Sequence, residues 1–382
     1  MNRIFKMMIG WIRDAWLIMG VTLVLLLFIE LLSSIRFRIP GYDSRTAADT
    51  YHNADWTTKY FKEGKASFVV EWAPYAYWRC QPFRGQYINV DAKGIRKTWQ
   101  PESMPGEDGR RPRIFFFGGS TTWGTGARDD FTIPSITARL LWRKGISAHV
   151  TNFGQIGYVS TQELIALLLE LQKGNVPDVV VFYDGVNDTF SAFQQRIAGL
   201  PQNEYNRVRE FNSSRKTISI FADNLSSIRF LGSLIYRRSV RHPAVTPIPF
   251  RAPIGQTSPP TDSESVTKGV VDDYERNIEA VRALARRYGF RALFYWQPSI
   301  FGKAHLTQYE ERELRKNSAM KPFFDLTYRL VKQHNLNQGG ETGFHDLSEV
   351  FSDTTEPLFV DWCHMGETGN SLVAEQIAGN IE

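Results

Sequence analysis

From Arg113 to the C-terminus, short and almost wholly apolar runs alternate with longer stretches whose apolar residues recur at helical spacing. Runs of the first kind are what strands buried on both faces look like, and the second kind reads as amphipathic helix. The pattern predicts strands over 114–117, 148–152, 179–183, 292–296 and 343–346, and helices over 133–144, 161–173, 273–288, 322–334 and 367–381. Strand and helix in strict alternation predict an α/β fold in which crossover helices flank a mostly parallel sheet of five strands. The alternation lapses between about 190 and 270, where an insertion is expected that ends in a Pro- and Ser-rich stretch, 242–265. Within it, 218–236 mixes apolar residues with Arg229 and is followed by Arg237 and Arg238. Both a packed helical subdomain and an interfacial helix at a bilayer fit that pattern.

The N-terminus has a different pattern. Apolar and small residues fill 15–35 with Glu30 as the one charge, about the 20 residues that a membrane-crossing helix requires. Residues 1–36 are therefore expected to be a single transmembrane anchor. The run is long for a cleaved signal, and Leu32-Ser33-Ser34-Ile35-Arg36 is a poor cleavage site. Arg3, Lys6 and Arg13 precede the span while Arg36, Arg38 and Arg45 follow it, so the positive-inside rule leaves orientation open. The expected location is a single-pass membrane protein with its main domain outside the cytoplasm. Residues 37–112 form a lead-in concentrating Trp72, Tyr75, Tyr77, Trp78, Phe83 and Tyr87, with a short strand at 87–90 and a turn at 92–94. Rings in that number predict packing against the main domain, 113–382. A carbohydrate-stacking surface is the alternative.

Composition changes this picture little. The chain has 382 residues, a formal net charge of +5 and no dense Lys/Arg block interleaved with aromatics, which argues against a nucleic-acid partner. It has two cysteines, Cys80 and Cys363. Outside the cytoplasm a disulfide between them would pin the lead-in to the C-terminal part; the other reading is two isolated thiols. His52, His149, His242, His305, His334 and His345 show no zinc spacing, and no metal or cofactor is expected.

Four short motifs fall at the predicted strand tips or in the loops after them: Gly118-Gly119-Ser120-Thr121, Asn152 to Gly157, Asp184-Gly185-Val186-Asn187-Asp188, and Asp361-Trp362-Cys363-His364. A serine hydroxyl becomes a nucleophile when a histidine oriented by a carboxylate takes its proton. Ser120, His364 and Asp361 supply that set, and three-residue spacing lets Asp361 reach the imidazole Nδ1. The backbone amides of Ser120 and Gly157 and the side-chain amide of Asn187 are candidate donors to an oxyanion. Taken singly, Ser120 also reads as a helix N-cap, Asn187-Asp188 as an Asx turn and Asp361 to His364 as a surface turn. Trp123 reads as a pocket floor or as core, and Gln297-Pro298 as a site wall or a strand-ending turn. Position 122 is Thr, so the α/β-hydrolase elbow Gly-x-Ser-x-Gly is not met, and the glycine spacing also fails a dinucleotide loop.

Gly119-Ser120, Gly157, Gly185-Val186-Asn187-Asp188 and Asp361-Trp362-Cys363-His364 resemble the four signature blocks of the SGNH/GDSL hydrolase superfamily over 113–382. The resemblance implies a flavodoxin-like three-layer α/β/α sandwich, a catalytic Ser120, His364 and Asp361, and an oxyanion hole of Ser120, Gly157 and Asn187. One departure is that Gly118-Gly119-Ser120 replaces the usual Gly-Asp-Ser. The function it implies is a membrane-anchored serine esterase or deacetylase acting on an acylated carbohydrate or cell-envelope polymer through an acyl-serine. An O-acyltransferase, a lipid-active esterase and a non-catalytic envelope scaffold are the alternatives.

Overall fold

The computed structural model describes residues 3–38, 43–101, 111–213, 260, 262–334 and 343–381. Two units divide the chain, one of residues 1–42 with 205–255 and one of 43–204 with 256–382. The first contains helix α1, Arg3–Arg38. Its stretch Met7–Ser34 is 28 residues and contains an 18-residue window of mean hydropathy 2.5, long and apolar enough to cross a membrane. The interfacial segment weighed at 218–236, and the Pro- and Ser-rich stretch except for its last few residues, lie outside the described residues.

The second unit opens with helix α2 (Thr57–Ser67), a hairpin of β1 (Val70–Ala73) and β2 (Tyr77–Cys80), and the short strands β3 (Phe83–Arg84) and β4 (Asn89–Val90). Then come β5 (Arg113–Gly118), α3 (Ser120–Trp123), α4 (Ile133–Arg143), β6 (His149–Asn152), α5 (Ser160–Gln172), β7 (Val179–Asp184) and α6 (Val186–Gln195). Helix α7, Glu204–Ser213, follows in sequence and from Tyr205 on belongs to the first unit. The chain closes with α8 (Ser263–Tyr288), β8 (Arg291–Trp296), α9 (Gln308–Lys316), α10 (Lys321–Gln333), β9 (Phe344–Asp346) and α11 (Glu367–Ile381).

The five main strands form one parallel sheet in the order β6-β5-β7-β8-β9. Arg-Ile-Phe-Phe-Phe-Gly in β5 and Val-Val-Val-Phe-Tyr-Asp in β7 are buried almost throughout, as a sheet covered on both faces demands. Phe117, Phe182 and Phe294 stand in register on β5, β7 and β8, with ring centroids 5.4 Å apart at each step. Helices α4 and α11 pack on each other, and α8 packs on α5, α6 and α10, making the two outer layers of an α/β/α sandwich. In this strand order the chain reverses direction across the sheet between β5 and β7, so the loops after them diverge and leave a crevice at their C-terminal ends.

All five strands and five of the helices match the periodicity to within a few residues, except that α8 begins ten residues before 273, where the Asp262 carboxylate accepts from Ser265 N at 3.0 Å and starts the helix. The expected insertion is shorter than its pattern suggested, because 190–195 continue α6 and 263–270 open α8.

Candidate active site

Strand β5 delivers the chain to Gly119, and Ser120 is the first residue of the single-turn helix α3, with Gly119 at the capping position. Ser120 is therefore not the N-cap. Its Oγ lies 2.7 Å from His364 Nε2, and His364 Nδ1 lies 2.9 and 2.8 Å from the two oxygens of Asp361. The motifs at the two ends of the domain thus meet in one continuous hydrogen-bonded chain. Asp361 Oδ1 also accepts from the amides of Cys363 and His364 at 3.0 and 2.8 Å, so the carboxylate shapes the turn that presents the imidazole. Burial would raise the Asp361 carboxyl, but the charge and hydrogen bond of His364 together with the charge of Arg45 hold it well below the ordinary carboxylate range.

The C-terminal end of α3 leaves carbonyls without helical partners, and buried side chains answer them. Arg96, fully buried, donates to the carbonyls of Trp123, Gly124 and Ala127 at 3.0, 2.7 and 2.7 Å and pairs with Asp129 at 3.0 Å. Its guanidinium lies 4.3 Å over the Trp123 ring, so Trp123 is core and not a pocket floor. Tyr51 donates to Gly126 O at 2.7 Å, while the Tyr60 hydroxyl donates to Gly124 O at 3.2 Å and accepts from Gly126 N at 2.8 Å.

A different set holds the loop of Asp361 and His364. Glu310, at the start of α9, accepts from the amides of Leu358 and Phe359 at 2.9 and 3.0 Å. Lys303 donates to Glu310 at 2.6 Å and to Glu356 O at 2.7 Å, and both side chains of this ion pair are fully buried. Tyr309 donates to Val360 O at 2.7 Å.

Gly157 sits in the loop after β6 with φ 76°, a left-handed conformation that suits glycine. Neither its amide nor that of Ser120 donates to another described residue. Asn187, in the first turn of α6, donates through Nδ2 to Tyr158 O at 2.7 Å and accepts from Gln202 at 3.0 Å, which fixes the orientation of the amide. One Nδ2 hydrogen remains. A Cβ built on Gly119 would lie 2.0 Å from Asn187 Nδ2. The glycine that replaces the usual aspartate before the serine thus vacates the space the Asn187 amide occupies. Asp188 is no Asx-turn residue: it is inside α6 and accepts from Ser160 N and Oγ at 3.1 and 2.6 Å.

Glu163 on α5 and Asp184 at the end of β7 are buried close together, with the Tyr274 hydroxyl beside Asp184. Burial raises both carboxyls, Asp184 to about 7; the charges of Asp184 and Asp188 push Glu163 the same way, whereas for Asp184 the charge of Asp188 adds to burial and hydrogen bonding with Glu163 and Tyr274 opposes it.

Of the two readings open for the cysteines, the structure has the isolated thiols: Cys80 and Cys363 are both free and buried, in separate apolar clusters. Burial and the adjacent Asp361 charge push the Cys363 thiol up, away from the reactive thiolate. Ligand atoms of Asp361, Cys363 and His364 lie within 4.8 Å of one another. Both imidazole nitrogens are already engaged, Nδ1 with Asp361 and Nε2 with Ser120, so the set reads as a proton-transfer chain. Gln297 is buried and accepts from Thr121 Oγ1 at 2.9 Å, supporting α3 from below.

Sequence reasoning expected the lead-in aromatics to pack inward. Trp78 does so, donating from Nε1 to Ile156 O at 2.7 Å, but Trp72 and Tyr75 are 69% and 77% exposed at the hairpin tip. Cys80 N to Gln155 (2.7 Å) and Gln162 to Ala76 O (2.8 Å) tie that hairpin to the loop of Gly157 and to the helix after it.

A chain in which a carboxylate orients an imidazole against a serine hydroxyl can take the hydroxyl proton as oxygen attacks an acyl carbon. The family profile described as GDSL-like lipase/acylhydrolase matches residues 114–377. No curated protein matches the chain. Among solved structures, the acetyl xylan esterase AlAXEase is 15% identical, with 71% of this chain and 100% of that chain covered and a TM-score of 0.38. A catalytic mutant of an acetylxylan esterase from Geobacillus stearothermophilus is 15% identical, covering 72% and 96%, with a TM-score of 0.40. A lipolytic protein of the G-D-S-L family from Desulfitobacterium hafniense is 10% identical, covering 70% and 99%, with a TM-score of 0.34.

Proposed function

The chain belongs to the GDSL-like lipase/acylhydrolase family of serine hydrolases, and from that premise we propose that it removes acyl groups from a carbohydrate or cell-envelope polymer through an acyl-Ser120 intermediate. The observation that carries the assignment is the unbroken Ser120–His364–Asp361 chain of hydrogen bonds. Ser120 Oγ adds to the ester carbonyl as His364 Nε2 takes its proton. The amides of Ser120, Gly157 and Asn187 receive the negative charge on the former carbonyl oxygen. The C–O bond to the sugar then breaks, the imidazolium returns the proton to the departing alkoxide, and water repeats the sequence on the acyl-serine to release a carboxylic acid.

The polymer reading draws support from the exposed Trp72 and Tyr75, whose rings stand on a hairpin fastened to the loop of Gly157. Helix α1 is read as a membrane anchor that keeps the hydrolase unit at an extracytoplasmic surface. Intact-mass analysis of the detergent-solubilised protein after fluorophosphonate treatment tests these points together. The expected result is one adduct, absent from Ser120→Ala, on a chain that retains residues 1–36. No adduct on folded protein would overturn the nucleophile, and a mass lacking those residues would overturn the anchor. Acetate release from an acetylated polysaccharide, against none from lipid esters, tests the substrate class.

A further inference from the structure

A cation from outside the family match reaches the catalytic acid. Arg45 lies in the 3-10 turn Ser44–Ala47, and its Nη1 is 3.9 Å from Asp361 Oδ2. Asp43 holds the same guanidinium, accepting from Nε at 3.0 Å and from Nη2 at 2.9 Å, and the Phe61 ring lies 4.9 Å beneath it. The side chains of Arg45 and Asp361 are only 23% and 17% exposed, so solvent screens their interaction weakly. At 3.9 Å the pair is too long for a hydrogen bond. The Asp361 oxygens already serve His364 Nδ1 and two backbone amides, so Arg45 acts on the acid through its field.

Resting on the triad reading above, we infer that Arg45 is a positioning residue that keeps Asp361 an anion and opposes a second positive charge on the imidazole, while Asp43 offsets part of that effect. The consequence is an enzyme that stays active to lower pH than one without Arg45. The other titratable groups facing this cluster are the hydroxyls of Tyr51, Tyr60 and Tyr309, the Cys363 thiol and Glu367, with Lys65 acting on Asp43 and Glu313 on Tyr309. Burial keeps the three hydroxyls and the thiol neutral, and Arg128 pairs with Glu367 at 2.7 Å. Arg45, with Asp43 bound to it, is thus the cation within 4 Å of Asp361 besides His364 among the described residues.

The test is the acid limb of kcat/KM, which reports ionisation of the free enzyme, for full-length detergent-solubilised protein acting on 4-nitrophenyl acetate. Arg45→Gln is expected to move its midpoint up by about half a unit to one unit, as a charge removed at this distance in a partly buried site should. Arg45→Lys should leave it near the wild-type midpoint, and Asp43→Asn should move it down. A purely structural pair would lower activity in both variants without moving the midpoint in opposite directions. An unmoved midpoint in Arg45→Gln, at whatever activity remains, overturns the inference. Where that variant does not fold, an unmoved or raised midpoint in Asp43→Asn overturns it as well. Failure of the wild type to take a fluorophosphonate would count against Ser120 instead, so the two failures are separable.

Discussion

The two loops that meet at the Ser120–His364 bond are supported in opposite electrical senses and from different parts of the chain. The nucleophile loop presents carbonyls inward, and a buried cation, Arg96, takes three of them with help from Tyr51 and Tyr60. All three supports come from the lead-in. The acid–base loop presents amides inward, and a buried anion, Glu310, takes two of them with Lys303 as its counter-ion. Those supports come from the segments around α9, inside the family match. One half of the site is therefore held from within the family match and the other by residues that precede it. In each, the buried charge is compensated by one partner of opposite sign, as desolvation requires.

Breaking either support should be expensive, and the nucleophile side should suffer more. Arg96→Met takes the counter-charge from buried Asp129 and the side-chain donor from the Ala127 carbonyl and is expected to cost about 3–5 kcal/mol, whereas Glu310→Gln keeps its shape and should cost somewhat less. Denaturant unfolding of both variants would measure this. Equal losses would remove the asymmetry, and losses within about 0.5 kcal/mol, the level of ordinary surface substitutions, would sink the argument for both.

A sharper intervention stays at the junction of the loops. Gly119→Ala puts a methyl where the Asn187 amide now lies, and, on the oxyanion role proposed for Asn187, it should lower kcat by about 10²–10³. Stability should change little, and Asn187→Ala on top of it should cost no further activity. Additive losses in that double variant would show that the methyl acts elsewhere.

The smallest effect concerns pH. Asp184 is raised from 3.8 to about 7, so the folded state binds its proton more tightly than the unfolded state does. The stability it contributes is complete below about pH 4 and is lost as pH rises through 7. Asp361 runs the other way, contributing above the unfolded carboxylate range and losing that contribution in acid. Melting temperature followed from pH 4 to 8 should therefore fall less steeply in Asp184→Asn than in wild type. Parallel curves would assign the drop to other groups.

Much of this was legible before any coordinates, for a physical reason. Strands buried on both faces leave unbroken apolar runs, and Asp361 lies close enough along the chain to His364 for one turn to join them. The supports left no such trace. Arg96, Lys303, Glu310 and Arg45 carry the same letters as residues on a solvated surface, and only the fold shows that their charges are dry. Helix α9 reads as a charged run, yet Thr307 and Glu310 form a capping box, with Glu310 Oε2 3.1 Å from Thr307 N, and that spacing was a signal that could have been used. Gln202, which orients Asn187, follows no motif at all. The hairpin was hidden by its own geometry, because Tyr75 and Tyr77 adopt φ 68° and 71°, where turn chemistry predicts glycine or asparagine.

The contacts of Tyr51, Tyr60 and Arg96 also bear on inheritance. A gene fragment beginning at residue 113 would encode every motif of the family and still lack the groups that hold the serine turn in place. Exchange of lead-ins between relatives would succeed only where the incoming segment brings equivalent donors. Substitutions at position 96 should accordingly track those at 123 and 129, whose side chains Arg96 meets, across descendants of this chain.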